Sequence, residues 1–120
     1  MTFDEIRNIL SGISDSAMKL EMVMDFGAHL APVPDNAVCT EIKGCASRVE
    51  LCRVENHFYG MADSALVRGI VAIIIAMVDG KTPDEIRQMD LYGMFSELNI
   101  NLWAGRLNGV NSMILFLHNL

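Results

Sequence analysis

The chain has 120 residues, 52% of them apolar, and its nine basic and fifteen acidic residues give a net charge of −6. That balance excludes a phosphate-tracking nucleic-acid binder and a binder of anionic membranes, since both need a basic face. The apolar share excludes disorder, and the length is that of a single domain over 1–120.

The first signal is Thr2 followed by Glu5, a capping box that predicts a helix over 3–10. Ser11 and Gly12 end it. Ser14 starts a second helix to about Leu30, with Ala17, Leu20, Met24 and Ala28 spaced as one apolar face; Met18, Met22, Val23 and Phe26 widen it into a largely buried helix. The segment from Ala31 to Asn36 contains two prolines and reads as an extended link. Residues 37–42 form a short strand leading to Gly44-Cys45. Residues 48–54 form the next strand, Glu55-Asn56-His57 a turn, and Phe58–Met61 a return strand, giving a hairpin with one covered face.

Asp63 or Ser64 caps the next helix, which ends at Gly80. It is apolar around nearly its whole circumference, from Leu66 to Val78, so it is expected at the centre of the molecule. Its longest apolar run, Gly69–Val78, is far short of the ~20 residues of a membrane span. Thr82-Pro83-Asp84-Glu85 combines a cap, a proline at the first helical position and a boxing glutamate, and starts a short helix to about Met89. Another helix covers 91–98, a loop covers 99–106, and a last helix runs over about 108–118. Helices, then a small antiparallel sheet, then helices make the fold class α+β.

Chemistry concentrates at Cys45. It follows Gly44 in a tight loop between two strands, where a thiol is held by its neighbours yet near the surface. Lys43 and Arg48 flank it, either as ordinary surface charges or as cations that favour a thiolate. Gly44 serves as a turn glycine or as the hinge of a loop that swings outward. Ser47 hydrogen-bonds either the loop backbone or the sulfur. Three cysteines, an odd number, make no disulfide framework, and the acidic start Met1-Thr2-Phe3-Asp4-Glu5 lacks the basic region of a secretory leader. The chain therefore reads as cytoplasmic, with free thiols: Cys52 a small buried hydrophobe on its strand, Cys39 either structural or a resolving partner for Cys45. His29, His57 and His118 lack metal-ligand spacing, and no phosphate-binding glycine loop, serine triad or carboxylate pair is present.

Three segments then resemble one known family, the SufE sulfur acceptors. They are Ile42-Lys43-Gly44-Cys45-Ala46-Ser47-Arg48-Val49, similar to a Gly-Cys-x-Ser-x-Val loop; Ala62-Asp63-Ser64-Ala65-Leu66-Val67-Arg68-Gly69, leading into the long apolar helix and Gly80-Lys81-Thr82-Pro83-Asp84-Glu85-Ile86; and Leu102-Trp103-Ala104-Gly105-Arg106-Leu107-Asn108-Gly109, similar to Leu-x-x-Ser-Arg-x-x-Gly. The departures are Ala46 in place of a glutamine, Glu50 in place of an aromatic, Gly105 in place of the serine, and a short hairpin between Val49 and Asp63.

The resemblance implies a SufE/IscU-like α+β fold with a small antiparallel sheet packed against helices. It implies that Cys45 accepts persulfide sulfur from a pyridoxal-phosphate-dependent cysteine desulfurase of SufS or CsdA type, stimulates that enzyme, and passes sulfur on for iron–sulfur cluster assembly, a scaffold such as SufBCD being one destination. Arg106 matches the family arginine near the acceptor loop and is a supporting residue beside Ser47 and Gly44; holding the 102–108 loop is its structural alternative. No cofactor and no metal are implied for the chain itself. Two other readings stay open: a cluster scaffold using Cys39, Cys45, Cys52 and a histidine, and an adaptor that binds a desulfurase without carrying sulfur.

Overall fold

The computed structural model describes residues 1–120. In chain order it contains α1 (Phe3–Ser11), α2 (Ser16–Ala28), β1 (Val38–Glu41), β2 (Val49–Val54), β3 (His57–Ala62), α3 (Ala65–Val78), α4 (Pro83–Arg87), α5 (Leu91–Ser96) and α6 (Ala104–His118). The strands form one antiparallel sheet in the order β1-β2-β3. The class is α+β, as the order of elements in the sequence requires.

Local chemistry explains the starts of α1 and α4. In both, a threonine hydroxyl accepts from the third helical N–H while that residue's glutamate accepts from the threonine N–H: Thr2 with Glu5, Thr82 with Glu85. Ser64 caps α3. Asp15, not Ser14, caps α2, because its carboxylate reaches the Met18 N–H at 2.9 Å.

The core is a cluster of 25 buried apolar residues centred on α3, where Ile70, Val71, Ile73, Ile74, Met77 and Val78 are all at most 1% exposed. The sheet lies on one flank, so close that a Cβ on Gly60 would clash with a Val71 methyl. On another flank α2 crosses α3 backbone to backbone: a Cβ on Gly69 would overlap the Val23 carbonyl, and one on Gly27 would meet the Gly69 nitrogen at 2.5 Å. This crossing corrects the face expected of α2. Val23, Phe26 and Gly27 are buried, whereas Ala17, Met24 and Ala28 are exposed. Small residues let the backbones touch, and that contact overrides the periodicity of the larger side chains.

A second correction concerns α6. It begins at Ala104, so Gly105 and Arg106 lie on a helix and not in a loop. Its Trp103 cap makes no side-chain hydrogen bond, which left no local start signal. Val110, Met113, Ile114 and Leu117 seat the helix in the core.

The third correction concerns the cysteines. Cys39 and Cys52 are not free thiols; they are joined in a disulfide, with Cα atoms 4.0 Å apart. The register of β1 on β2 places them directly opposite one another, and neither the count of cysteines nor their spacing reveals a register. Cys52 is buried, as expected. Cys39 is no partner for Cys45, which is the one free cysteine. No helix is long and apolar enough to cross a membrane.

Candidate functional site

Residues 42–48 form the loop that joins edge strand β1 to central strand β2. Its base is closed by the Ile42 N–H donating to the Val49 carbonyl at 2.9 Å, and the buried Ile42 and Val49 side chains anchor both ends in the core. Between them the chain turns at Gly44, whose φ is +87°. A side chain is disfavoured there by the left-handed backbone, and its Cβ would stand 2.5 Å from the Ser112 hydroxyl on α6. Gly44 is thus fixed by conformation and by contact at once.

Cys45 follows, half-buried against the same helix. Its Sγ lies 3.8 Å from the Gly109 carbonyl, to which it donates, and a Cβ on Gly109 would stand 3.3 Å from it. Burial pushes the Cys45 thiol above its ordinary pKa. This differs from a thiolate promoted by Lys43 and Arg48. Lys43 pairs with Glu41 at 3.0 Å, while Arg48 lies within ion-pair distance of Glu41 at 3.9 Å and Glu50 at 3.7 Å. The two cations face carboxylates and water, and Lys43, then Arg48, holds the Glu41 carboxyl below its usual range. Ser47 is half-buried in the bend after Cys45, and the sulfur's hydrogen bond goes to the Gly109 carbonyl and not to its hydroxyl.

Arg106 lies one helical turn before Gly109, on the first turn of α6. Its Nε and Nη1 are buried without a hydrogen-bond partner. Unpaired buried donors on a permanent cation are costly, so this pair is poised to receive an anionic or carbonyl oxygen or a sulfur. The guanidinium carbon is 5.9 Å from the centre of the Trp103 ring, which is 63% exposed. The same ring accounts for Gly105: a Cβ there would meet it at 2.8 Å.

The structure therefore brings Gly44 and Cys45 against one stripe of α6 and sets Arg106 on its first turn. Three residues join them that the sequence reading gave no role: Trp103, Gly109 and Ser112. The signal for two of them is the spacing Arg106-x-x-Gly109-x-x-Ser112, which puts one helix face against the loop once α6 is known to begin before Arg106. No group of three or more histidine, cysteine or acidic residues is placed to hold a metal ion. A concavity of about 860 Å³ is lined by residues that include Phe3 of α1, Phe58 of β3 and Ile75 of α3, and the 42–48 loop takes no part in it.

The family model for SufE, the Fe-S metabolism associated domain, matches residues 4–120. The sulfur acceptor protein CsdE of Escherichia coli (strain K12) is 31% identical over 94% of this chain and 83% of its own. An uncharacterised SufE-like protein of Rhizobium etli is 32% identical over 94% of this chain and 84% of its own. Among solved structures, that of a hypothetical protein from Thermus thermophilus superposes with a TM-score of 0.74, covering 99% of this chain and 94% of the other at 14% identity, a likeness of fold.

Proposed function

Because the chain belongs to the SufE family of Fe-S metabolism associated domains, we propose that it is a sulfur acceptor whose reactive group is the Cys45 thiol, and that residues 1–120 work as one SufE-like domain. The donor is a persulfide on a pyridoxal-phosphate-dependent cysteine desulfurase, of SufS or CsdA type. Cys45, as thiolate, attacks the outer sulfur of that persulfide. A new S–S bond forms at Cys45 Sγ, the donor S–S bond breaks, and the donor cysteine leaves as a thiolate. The sulfur is then handed on for cluster assembly.

The observation that carries this reading is the environment of the one free thiol. Cys45 is sheltered against Gly109, and Arg106 keeps two buried donors unpaired one turn away. Shelter keeps the thiol protonated and slow towards adventitious electrophiles. The loop must therefore move for reaction, and docking of the donor is the event that moves it. The unpaired Arg106 donors suit the sulfur anion or a partner carboxylate at that moment. Ser47 and Gly44 support the loop. The cluster-scaffold reading loses two of its cysteine ligands to the Cys39–Cys52 bond.

The test is intact-mass analysis after incubation with a candidate desulfurase and free cysteine. The wild type is expected to gain sulfur, and the gain is expected to vanish in Cys45→Ser and persist in Cys39→Ser and Cys52→Ser. No gain on the wild type, with a desulfurase that loads its own acceptor, overturns the acceptor reading. If the chain still stimulated that enzyme, it would be an adaptor.

A further inference from the structure

The Cys39–Cys52 bond closes the stem of the hairpin whose loop carries Cys45, joining residues 13 apart in sequence. Strand β1 is the edge of the sheet, and all four of its residues are exposed. Its ladder partner is β2 alone, paired over Val38–Glu41. A four-residue edge strand with no buried side chain is held weakly by its ladder hydrogen bonds. The disulfide is thus the one covalent cross-link between the first arm of the hairpin and the body of the molecule, with the buried Ile42 side chain following at the arm's end. The two half-cystines differ in exposure: Cys39 is an exposed residue with no strand beyond it, whereas Cys52 is 1% exposed.

We infer that Cys39 and Cys52 form a thiol–disulfide exchange site, open to a dithiol reductant, whose state sets the freedom of the Cys45 loop. The thiolate of the dithiol attacks the sulfur of the more exposed residue, Cys39; the Cys39–Cys52 bond breaks and Cys52 leaves as a thiolate, which takes up a proton. The second thiol of the reductant then attacks the mixed disulfide, releasing Cys39 as a thiol and the reductant as a cyclic disulfide. Two electrons pass to the protein, and the reverse sequence returns them.

In the bonded form the stem is pinned at Cys39, and opening is confined to the loop itself. In the reduced form β1 can fray from β2, and the first end of the loop is then held by the buried Ile42 side chain and the Ile42–Val49 hydrogen bond alone, so residues 38–48 open together more readily. Departure of this unit strips Gly44 from Ser112 and Cys45 from Gly109, the contacts that shelter the thiol. The meaning of this for sulfur transfer rests on the reading of Cys45 as the acceptor, but the site and its effect on Cys45 are measured without any desulfurase.

The experiment equilibrates the wild type with mixtures of reduced and oxidised dithiothreitol, a dithiol and its cyclic disulfide. Thiols are counted by alkylation under denaturing conditions, and the rate at which a maleimide labels Cys45 in the native protein is followed by peptide mass. A change from one alkylatable thiol to three is expected along the series, with Cys45 labelled about fivefold or more faster in the three-thiol form, as fits an opening that involves the whole stem. The double variant Cys39→Ala/Cys52→Ala is expected to label at the fast rate in every mixture. Three thiols in every mixture, one thiol in every mixture, or equal Cys45 rates in the two forms would each overturn the inference. These outcomes are read on the wild type, so they stand even if the double variant does not fold. Failure of sulfur loading in the desulfurase assay would leave them untouched.

Discussion

Cys45 and Gly109 meet closely, and a side chain on the glycine would crowd the sulfur. Gly109→Ala would place a methyl group 3.3 Å from Cys45 Sγ. Alanine also improves helix propensity by about 1 kcal/mol, so the crowding is not expected to unfold the protein. The expected result is a near-neutral change in stability with faster maleimide labelling of Cys45, because the methyl displaces the loop from its shelter. Unchanged labelling would mean that the contact does not hold the thiol. Gly44 and Cys45 were legible in the sequence, since a Gly-Cys pair between two strand patterns reads as a turn with an accessible thiol. The thiol's environment was not. Lys43 and Arg48 are adjacent in sequence but drawn towards Glu41 and Glu50, and the groups that shelter the sulfur come from a helix some 64 positions away.

Elements whose starts depend on local hydrogen bonds were read closely: α1 and α4 from their capping boxes, α3 from Ser64 and its apolar run. Where tertiary contact decides, local sequence does not specify the outcome. The face of α2 is set by its backbone approach to α3, which is invisible to hydrophobic spacing. The first turn of α6 lacks a side-chain cap, and its glycines have poor helix propensity, so packing against the Cys45 loop and core outweighs local preference. The α2–α3 crossing provides its own test. Gly69→Ala would drive a methyl into the Val23 carbonyl and is expected to cost about 1–3 kcal/mol or more in urea denaturation. Gly12→Ala is the control, since its Cβ would meet nothing nearer than 3.6 Å and its effect should be small. Equal effects of the two would mean that the crossing adjusts freely.

Across the whole molecule, charge is unevenly distributed. Net charge is −6, yet the 42–48 loop carries two of the nine basic residues, Lys43 and Arg48. Three glutamates have carboxyls held below their usual range: Glu5 and Glu85 by hydrogen bonds from the Thr2 and Thr82 backbone, Glu41 by Lys43 and then Arg48. A depressed folded-state pKa adds stability that is present above the unfolded value and lost as pH falls through the folded one. The melting temperature is therefore expected to fall progressively below about pH 4, and less steeply in Glu5→Gln/Glu85→Gln, which lacks the two titrating carboxyls and starts from a lower value at neutral pH. A parallel fall in both proteins would remove the capping carboxylates from the account. The distance in sequence between Cys45 and α6 has one further consequence. On the ribosome the thiol emerges long before Gly109 exists to cover it, and the contact that shelters it is made by α6 and not by β1–β2 pairing. During synthesis Cys45 is a bare reactive group, and the nascent chain acquires a guarded thiol only when its last long helix docks.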